Sequence, residues 1–202
     1  MSFYSARLIG KEIISENENL LSIDLSNNHL QKNMKPIVDG IRHNSRLISI
    51  IMKNNEIDGR EHSDYLKEIV KNHPSLTHID FGNTDLNVRK NKIRNKGAKA
   101  IVDGILESYR HGCSLISEIH LGYCFLTSEC LVDFAKLSNP EWIQLQSLNL
   151  SYNDLGPETI GILTPILPSI ITLNLNGTKL NNESMQDLAQ CFKIQEMKLQ
   201  EL

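Results

Sequence analysis

The residues best equipped for chemistry are a histidine and a cysteine four apart, His120 and Cys124, with Asp80 forty residues before the histidine. A thiol, an imidazole and a carboxylate are the parts of a nucleophilic set: the imidazole takes the thiol proton and the carboxylate orients the imidazole. A second grouping, His78 and Glu118 beside Asp80 and His120, offers ligand types that suit a metal, or a contact whose charge changes near neutral pH. No phosphate-cradling glycine loop, G-x-S-x-G elbow or H-E-x-x-H helix accompanies them. Assembly of either grouping depends on the elements that carry it.

Those elements repeat. The pattern Leu-x-x-Leu-x-Leu-x-x-Asn-x-Leu is filled first by Leu20, Ile23, Leu25, Asn28 and Leu30, then by Leu47, Ile50, Met52, Asn55 and Ile57. A third copy reads Leu76, Ile79, Phe81, Thr84 and Leu86, and a fourth Ile116, Ile119, Leu121, Cys124 and Leu126. The fifth is Leu145, Leu148, Leu150, Asn153 and Leu155, and the sixth Ile170, Leu173, Leu175, Thr178 and Leu180. A truncated seventh follows at Ile194, Met197 and Leu199. Starts are separated by 24 to 29 residues except from Leu76 to Ile116, which is 40, so an insertion is expected there. Its basic stretch, 87–96, runs Asn-Val-Arg-Lys-Asn-Lys-Ile-Arg-Asn-Lys.

Apolar residues one position apart face the same side of a strand, so Ile23 and Leu25 turn inward while Asp24 turns to solvent. The Asn, Thr or Cys slot lies where the chain bends out of the strand, and a small polar side chain there satisfies turn amides. Between strands, helical spacing of apolar residues predicts helices over Met34 to Arg42, Glu61 to Lys71, Lys96 to Tyr109, Ser128 to Lys136 and Glu183 to Phe192. Two of them share a word, Ile37-Val-Asp-Gly-Ile41 and Ile101-Val-Asp-Gly-Ile105, as internal duplication would leave. After the fifth strand, Pro157 suits a first turn, whereas Pro165 and Pro168 interrupt a helix.

Strand plus helix in about 28 residues, closed by an Asn/Cys/Thr slot, resembles the ribonuclease-inhibitor type of leucine-rich repeat. The resemblance runs from about Leu20 to Leu199. It implies an α/β solenoid curved into a horseshoe, with a parallel β-sheet on the concave face, α-helices on the convex face, and a protein partner bound by the concave wall and rim. Short, Asn- and Lys-rich repeats of this kind are also similar in texture to leucine-rich-repeat effectors that intracellular bacterial pathogens deliver into host cells. The chain then reads as one domain, 1–202: an N-terminal cap at 1–19, six repeats at 20–193, and a truncated seventh strand at 194–202.

Composition agrees with a cytoplasmic protein, or one translocated into a host cytosol. A formal charge of -3 over 202 residues gives no global pull toward nucleic acid or an anionic membrane. No apolar run reaches a membrane span, and residues 1–10 lack a signal-peptide core. Cys113, Cys124, Cys130 and Cys191 lack C-x-x-C spacing and are expected to stay reduced.

The repeat separates the nucleophilic set: Cys124 belongs to the inward turn ladder and His120 to the opposite side, so no enzyme activity is expected. The outward columns form the candidate binding surface. The central one reads Asp24, Ile51, Asp80, His120, Asn149, Asn174 and Lys198; the one before it reads Ser22, Ser49, His78, Glu118, Ser147, Thr172 and Glu196. Adjacent coils lie about 4.8 Å apart, which puts His78 and Asp80 beside Glu118 and His120. Such side chains on a sheet are expected to hydrogen-bond with each other or a partner, and no metal or cofactor is expected. Tyr123 and Tyr152 share a position just after their strands and should stand side by side as aromatic anchors. Lys53 completes the partner-binding set. The resulting expectation is a non-catalytic module that binds another folded protein, an enzyme, and inhibits or regulates it by occlusion. An adaptor for ubiquitin or signalling machinery is the alternative, or nucleic-acid or phosphoinositide binding through the basic stretch. That stretch has no stacking aromatic of its own, which weighs against nucleic acid.

Overall fold

A computed structural model describes residues 1–71, 73–84, 90–112, 115–138, 145–194 and 198–200. Its strands are β1 Ser22–Asp24, β2 Ser49–Ile51, β3 His78–Asp80, β4 Glu118–His120, β5 Ser147–Asn149 and β6 Thr172–Asn174. They form one six-stranded sheet in chain order, every neighbouring pair parallel. The register is the one that the repeat predicts: Ser22 pairs with Ser49, His78 with Glu118, and Asn149 with Asn174.

One coil per strand makes each apolar slot a stripe across the sheet. Ile50, Ile79, Ile119, Leu148 and Leu173 line one buried row, and Leu25, Met52, Phe81, Leu121, Leu150 and Leu175 the next. Burying a Leu, Ile or Phe side chain contributes about 1.5–3 kcal/mol, and in such a stack each coil closes its neighbour's core.

Helices α1 Phe3–Leu8, α2 Met34–His43, α3 Gly59–Val70, α4 Arg94–Arg110, α5 Leu131–Ala135, α6 Thr159–Leu163 and α7 Asn182–Ile194 connect and flank the strands. A π-helical stretch, Ile9–Ser15, joins α1 and lies against α2, so residues before the first repeat do cover its outer side. The repeated Ile-Val-Asp-Gly-Ile word has a packing reason. A Cβ on Gly40 would sit 2.2 Å from the Gly10 carbonyl oxygen, and one on Gly104 2.7 Å from that of Lys67. Each glycine therefore lets its helix approach the segment before it. Helix α3 starts at Asp58, whose carboxylate accepts the Arg60 N–H. Helix α6 stops at Leu163, two residues before Pro165, and a 3-10 turn, Leu167–Ser169, carries the chain to β6.

Two expectations are corrected. Ile194 ends α7 rather than starting a strand, and among the described residues beyond it the Gln200 N–H donates to the Ile171 carbonyl at 2.8 Å and Leu199 packs against the core. The third coil is closed by Asn91, not by Thr84. Asn91 is wholly buried, and its side chain donates to the Met52 and Phe81 carbonyls and accepts from the Asn55 and Ile57 N–H groups. Asn153 does the same two coils further on, accepting from Cys124 and Leu126 and donating to the Leu121 and Leu150 carbonyls. Thr84 is exposed, and among the described residues its hydrogen bonds are with the Asn54 side chain. The insertion thus lies between strand β3 and its slot, about residues 84–90, and Ile93 takes the apolar position assigned above to Leu86. Leu86, residues 87–89, Cys113, Glu196 and Met197 lie outside the described residues.

Candidate functional site

The nucleophilic set does not assemble. Cys124 is wholly buried, its thiol 3.3 Å from the Phe81 carbonyl, and burial together with the Asp80 charge pushes it well above the ordinary thiol range. His120 faces the other side of the strand. Cys130 is likewise buried, and burial raises its thiol to about 12.

The outward columns are where the repeat places them, but several of their members have local work. The outer carboxylate or amide oxygens of Asp24, Asp80, Asn149 and Asn174 each accept the N–H two residues on, at Ser26, Gly82, Ser151 and Asn176. This turn, made by a short polar side chain, bends the strand toward its slot. Asp and Asn recur in the central column for that reason. One oxygen is consumed in the turn, and the rest of the group faces the open side. Ile51 and His120 occupy the same column without this bond.

Asp80 departs furthest from expectation: it is only 4% exposed. Lys53 Nζ lies 2.9 Å from its Oδ2, and His120 Nδ1 lies 3.6 Å from the same oxygen. Burial pushes the carboxyl up, but hydrogen bonds with His120 and Lys53, the lysine charge and the Gly82 N–H outweigh burial and hold it below the ordinary value. Beside it, His78 Nδ1 lies 2.8 Å from Glu118 Oε2, and the two imidazoles meet edge-on with centroids 4.9 Å apart. The mixed patch is therefore a connected network that joins β3 and β4 to Lys53, two residues beyond β2.

The tyrosines stand as the repeat predicts. Tyr123 and Tyr152 stack at 4.2 Å between centroids with planes 7° apart. Tyr152 also lies on Gly177, where an added Cβ would fall 2.7 Å from the ring, and its hydroxyl accepts from Asn176 Nδ2. Both backbones are left-handed, φ 56° and 54°. The same position in other coils holds Asn27, Asn54 and Gly177, residues that tolerate this conformation. Asn83 fills it in the third coil and donates to the Tyr123 carbonyl.

The sequence pointed to the basic stretch that holds Lys90 and Arg94 but not to Phe125, on which both cations lie. Phe125 is 46% exposed, also left-handed at φ 60°, and has Lys90 Nζ at 5.4 Å and the Arg94 guanidinium at 5.9 Å from its centroid. With Tyr123 and Tyr152 these residues line a groove of about 370 Å³. The signal was present: the residue after the slot is His29, Glu56, Asp154 or Lys179 in other coils, and aromatic only here. Three cations of the basic stretch are engaged locally, Lys90 on Phe125, Arg94 with Asp58 at 3.4 Å, and Lys96 on the Arg60 carbonyl. Among the described residues no helix is long and apolar enough to cross a membrane.

The family model described as leucine-rich repeat matches residues 84–102 and 144–158. The first match contains Asn91 and Ile93, the slot pair recognised from the hydrogen bonds. The chain is similar to human NACHT, LRR and PYD domains-containing protein 14, 31% identical over 136 residues, which is 64% of this chain and 11% of that protein. It is 27% identical to mouse NACHT, LRR and PYD domains-containing protein 12 over 188 residues, 90% of this chain and 17% of that protein. The aligned part is thus less than a fifth of either relative's length. Among solved structures, the tropomodulin C-terminal domain of Caenorhabditis elegans aligns over 96% of this chain and 92% of that chain, at 12% identity and a TM-score of 0.48. The chain is thus similar, over part of its length, to leucine-rich repeats, units that generally serve protein–protein interaction.

Proposed function

We propose that the chain binds another folded protein through the open face of its sheet and the aromatic edge beside it, and that it inhibits a partner enzyme by covering its working surface. The observation that carries this reading is the aromatic edge. Tyr123, Phe125 and Tyr152 hold left-handed backbones at positions that need no aromatic ring to close a coil, as Asn27 and Asn54 demonstrate for the tyrosines and Glu56 and Lys179 for Phe125. A left-handed backbone costs about 1–2 kcal/mol at an ordinary residue. Phe125 and Tyr152 are nearly half exposed, with two cations over Phe125, and aromatic rings of this kind dominate interface energetics. Six strands about 4.8 Å apart make a wall roughly 25 Å across, enough for the roughly 800 Å² per partner of a standard interface. If the sheet curves as in the ribonuclease-inhibitor type, a convex enzyme surface fits against it. The described cysteines are buried free thiols, which supports a reducing compartment as the place of action.

The test is differential capture. Immobilised wild type is run beside a Tyr123→Asn/Tyr152→Asn double variant, bound proteins are identified by mass spectrometry, and the purified candidate is titrated against both. Loss of both rings is expected to weaken the complex about 30-fold or more, as removing a hot spot of 2 kcal/mol would. A candidate enzyme should lose activity on adding wild type and keep it on adding the variant. Equal affinity for both proteins would reject the aromatic edge as the interface. Binding without inhibition would reject occlusion.

A further inference from the structure

We propose that His78, Asp80 and His120 form a binding site for a divalent zinc-type metal ion on the open face of the sheet. The strand words are His78-Ile79-Asp80 in β3 and Glu118-Ile119-His120 in β4, and alternation puts the first and third residue of each on one face. The parallel register sets Asp80 opposite His120 and His78 opposite Glu118. One ligand atom from each of His78, Asp80 and His120 lies within 4.8 Å of the other two. Ligands of a tetrahedral zinc ion at about 2.1 Å from the metal stand about 3.4 Å apart. The set must close by about 1.4 Å, which rotation of two imidazoles and one carboxylate supplies without moving the strands.

The surroundings fit a metal in three further ways. Glu118 lies against Nδ1 of His78, so a proton there directs the lone pair of Nε2 outward, the usual way in which an outer carboxylate orients a ligand histidine. Asp80 spends Oδ1 on the Gly82 N–H, which fixes its plane and leaves Oδ2 for an ion. That oxygen is taken by the Lys53 ammonium at 2.9 Å, a cation on a side chain 35% exposed and free to swing toward solvent. Lys53 therefore holds the place of the metal charge. Two imidazoles and one carboxylate suit zinc and its transition-metal neighbours rather than magnesium or calcium, which prefer oxygen ligands. A fourth position remains toward solvent for water.

Ion binding is measured on this chain alone, so its outcome is independent of the protein-binding reading. The full chain, stripped with chelator, is titrated with Zn²⁺ by calorimetry, with Co²⁺ as spectroscopic probe and Mg²⁺ as control. One Zn²⁺ per chain is expected, with affinity falling at least about 10-fold in His120→Asn and in Asp80→Asn, comparable to the 10–100-fold effect of disturbing even an orienting residue. Asn at position 80 keeps an acceptor for the Gly82 N–H, and circular dichroism with urea unfolding verifies that each variant is folded. Lys53→Met is expected to tighten binding several-fold because the competing ammonium is gone. His29→Asn, which alters a histidine paired with Glu56 away from this set, should bind as wild type does. No Zn²⁺ bound, affinity unchanged in His120→Asn, or Lys53→Met binding no tighter than wild type would each overturn the assignment. If Asp80→Asn fails to fold, His120→Asn and Lys53→Met decide it.

Discussion

Asn91→Ala should be among the most damaging single substitutions in the chain, and its size follows from four hydrogen bonds. The buried amide donates to the Met52 carbonyl at 2.7 Å and the Phe81 carbonyl at 2.9 Å, and accepts from Asn55 N–H at 2.9 Å and Ile57 N–H at 3.1 Å. Truncation leaves those N–H groups and the Met52 carbonyl without this partner in a wholly buried position, while Phe81 keeps the Cys124 thiol. A buried polar group left unsatisfied costs about 1–3 kcal/mol, so three of them, partly relaxed, amount to about 3–5 kcal/mol. For a chain of this length that is a fall in Tm on the order of 10 °C. Thr84→Ala is the paired control, because Thr84 is exposed and the substitution removes the bond from Asn54 Nδ2 to its hydroxyl but keeps the one from its own N–H to Asn54 Oδ1; it should cost less than about 1 kcal/mol. Asn91→Asp, which retains the acceptor but sets a negative charge against two carbonyls, should be no better than alanine. Urea unfolding followed by far-ultraviolet circular dichroism measures all three, comparing midpoints at unchanged slope. Equal losses at Asn91 and Thr84, or a loss below about 1 kcal/mol for Asn91→Ala, would refute the assignment of the third slot.

The Tyr123→Asn/Tyr152→Asn pair should stay within about 1 kcal/mol of wild type in urea unfolding, because relief of two left-handed backbones at about 1–2 kcal/mol each offsets the lost stacking and buried ring area. A much larger loss would mean that the rings are there for the fold. Gly104→Ala should destabilise by about 1–3 kcal/mol, since the added methyl would sit 2.6 Å from Val70 Cγ2 and 2.7 Å from the Lys67 carbonyl oxygen; a neutral result in thermal unfolding would show that α3 and α4 separate freely. His73 is buried, its Nε2 has no hydrogen-bond partner among the described residues, and burial, only partly offset by the backbone of Asn44 and Ile41, lowers it from the ordinary 6.5. Below about pH 6.5 the unfolded chain takes a proton that the folded chain refuses, so stability should fall with acid by up to about 1.4 kcal/mol per pH unit. Comparing wild type with His73→Leu between pH 7.5 and 5.5 checks this, and identical slopes would refute it.

Sequence alone carried the strands, their register and the inward stripes. A two-residue strand alternation repeated once per coil turns positions in the chain into neighbours in space, so Tyr123 beside Tyr152 and His78 beside Glu118 followed from counting. The inward position of Cys124 followed in the same way. Counting failed where spacing itself was broken. Asn83, Thr84 and Asn91 are each small and polar enough for a slot, and the insertion removes the ruler that would choose among them. Only the waiting donors and acceptors of the neighbouring coil, Asn55, Ile57 and Met52, select Asn91.

The same division separates the outward columns. That Asp24, Asp80, Asn149 and Asn174 leave the core is a property of alternation. That each spends an oxygen on the amide two residues on, and that Asp80 lies under Lys53 and His120, are properties of the folded chain. A side chain's face is set by local backbone geometry and is periodic; its partners are set by whatever neighbouring coils bring within reach, and those partners change from coil to coil. The sequence by itself therefore determined which residues face which way, and the tertiary structure decided what each one touches.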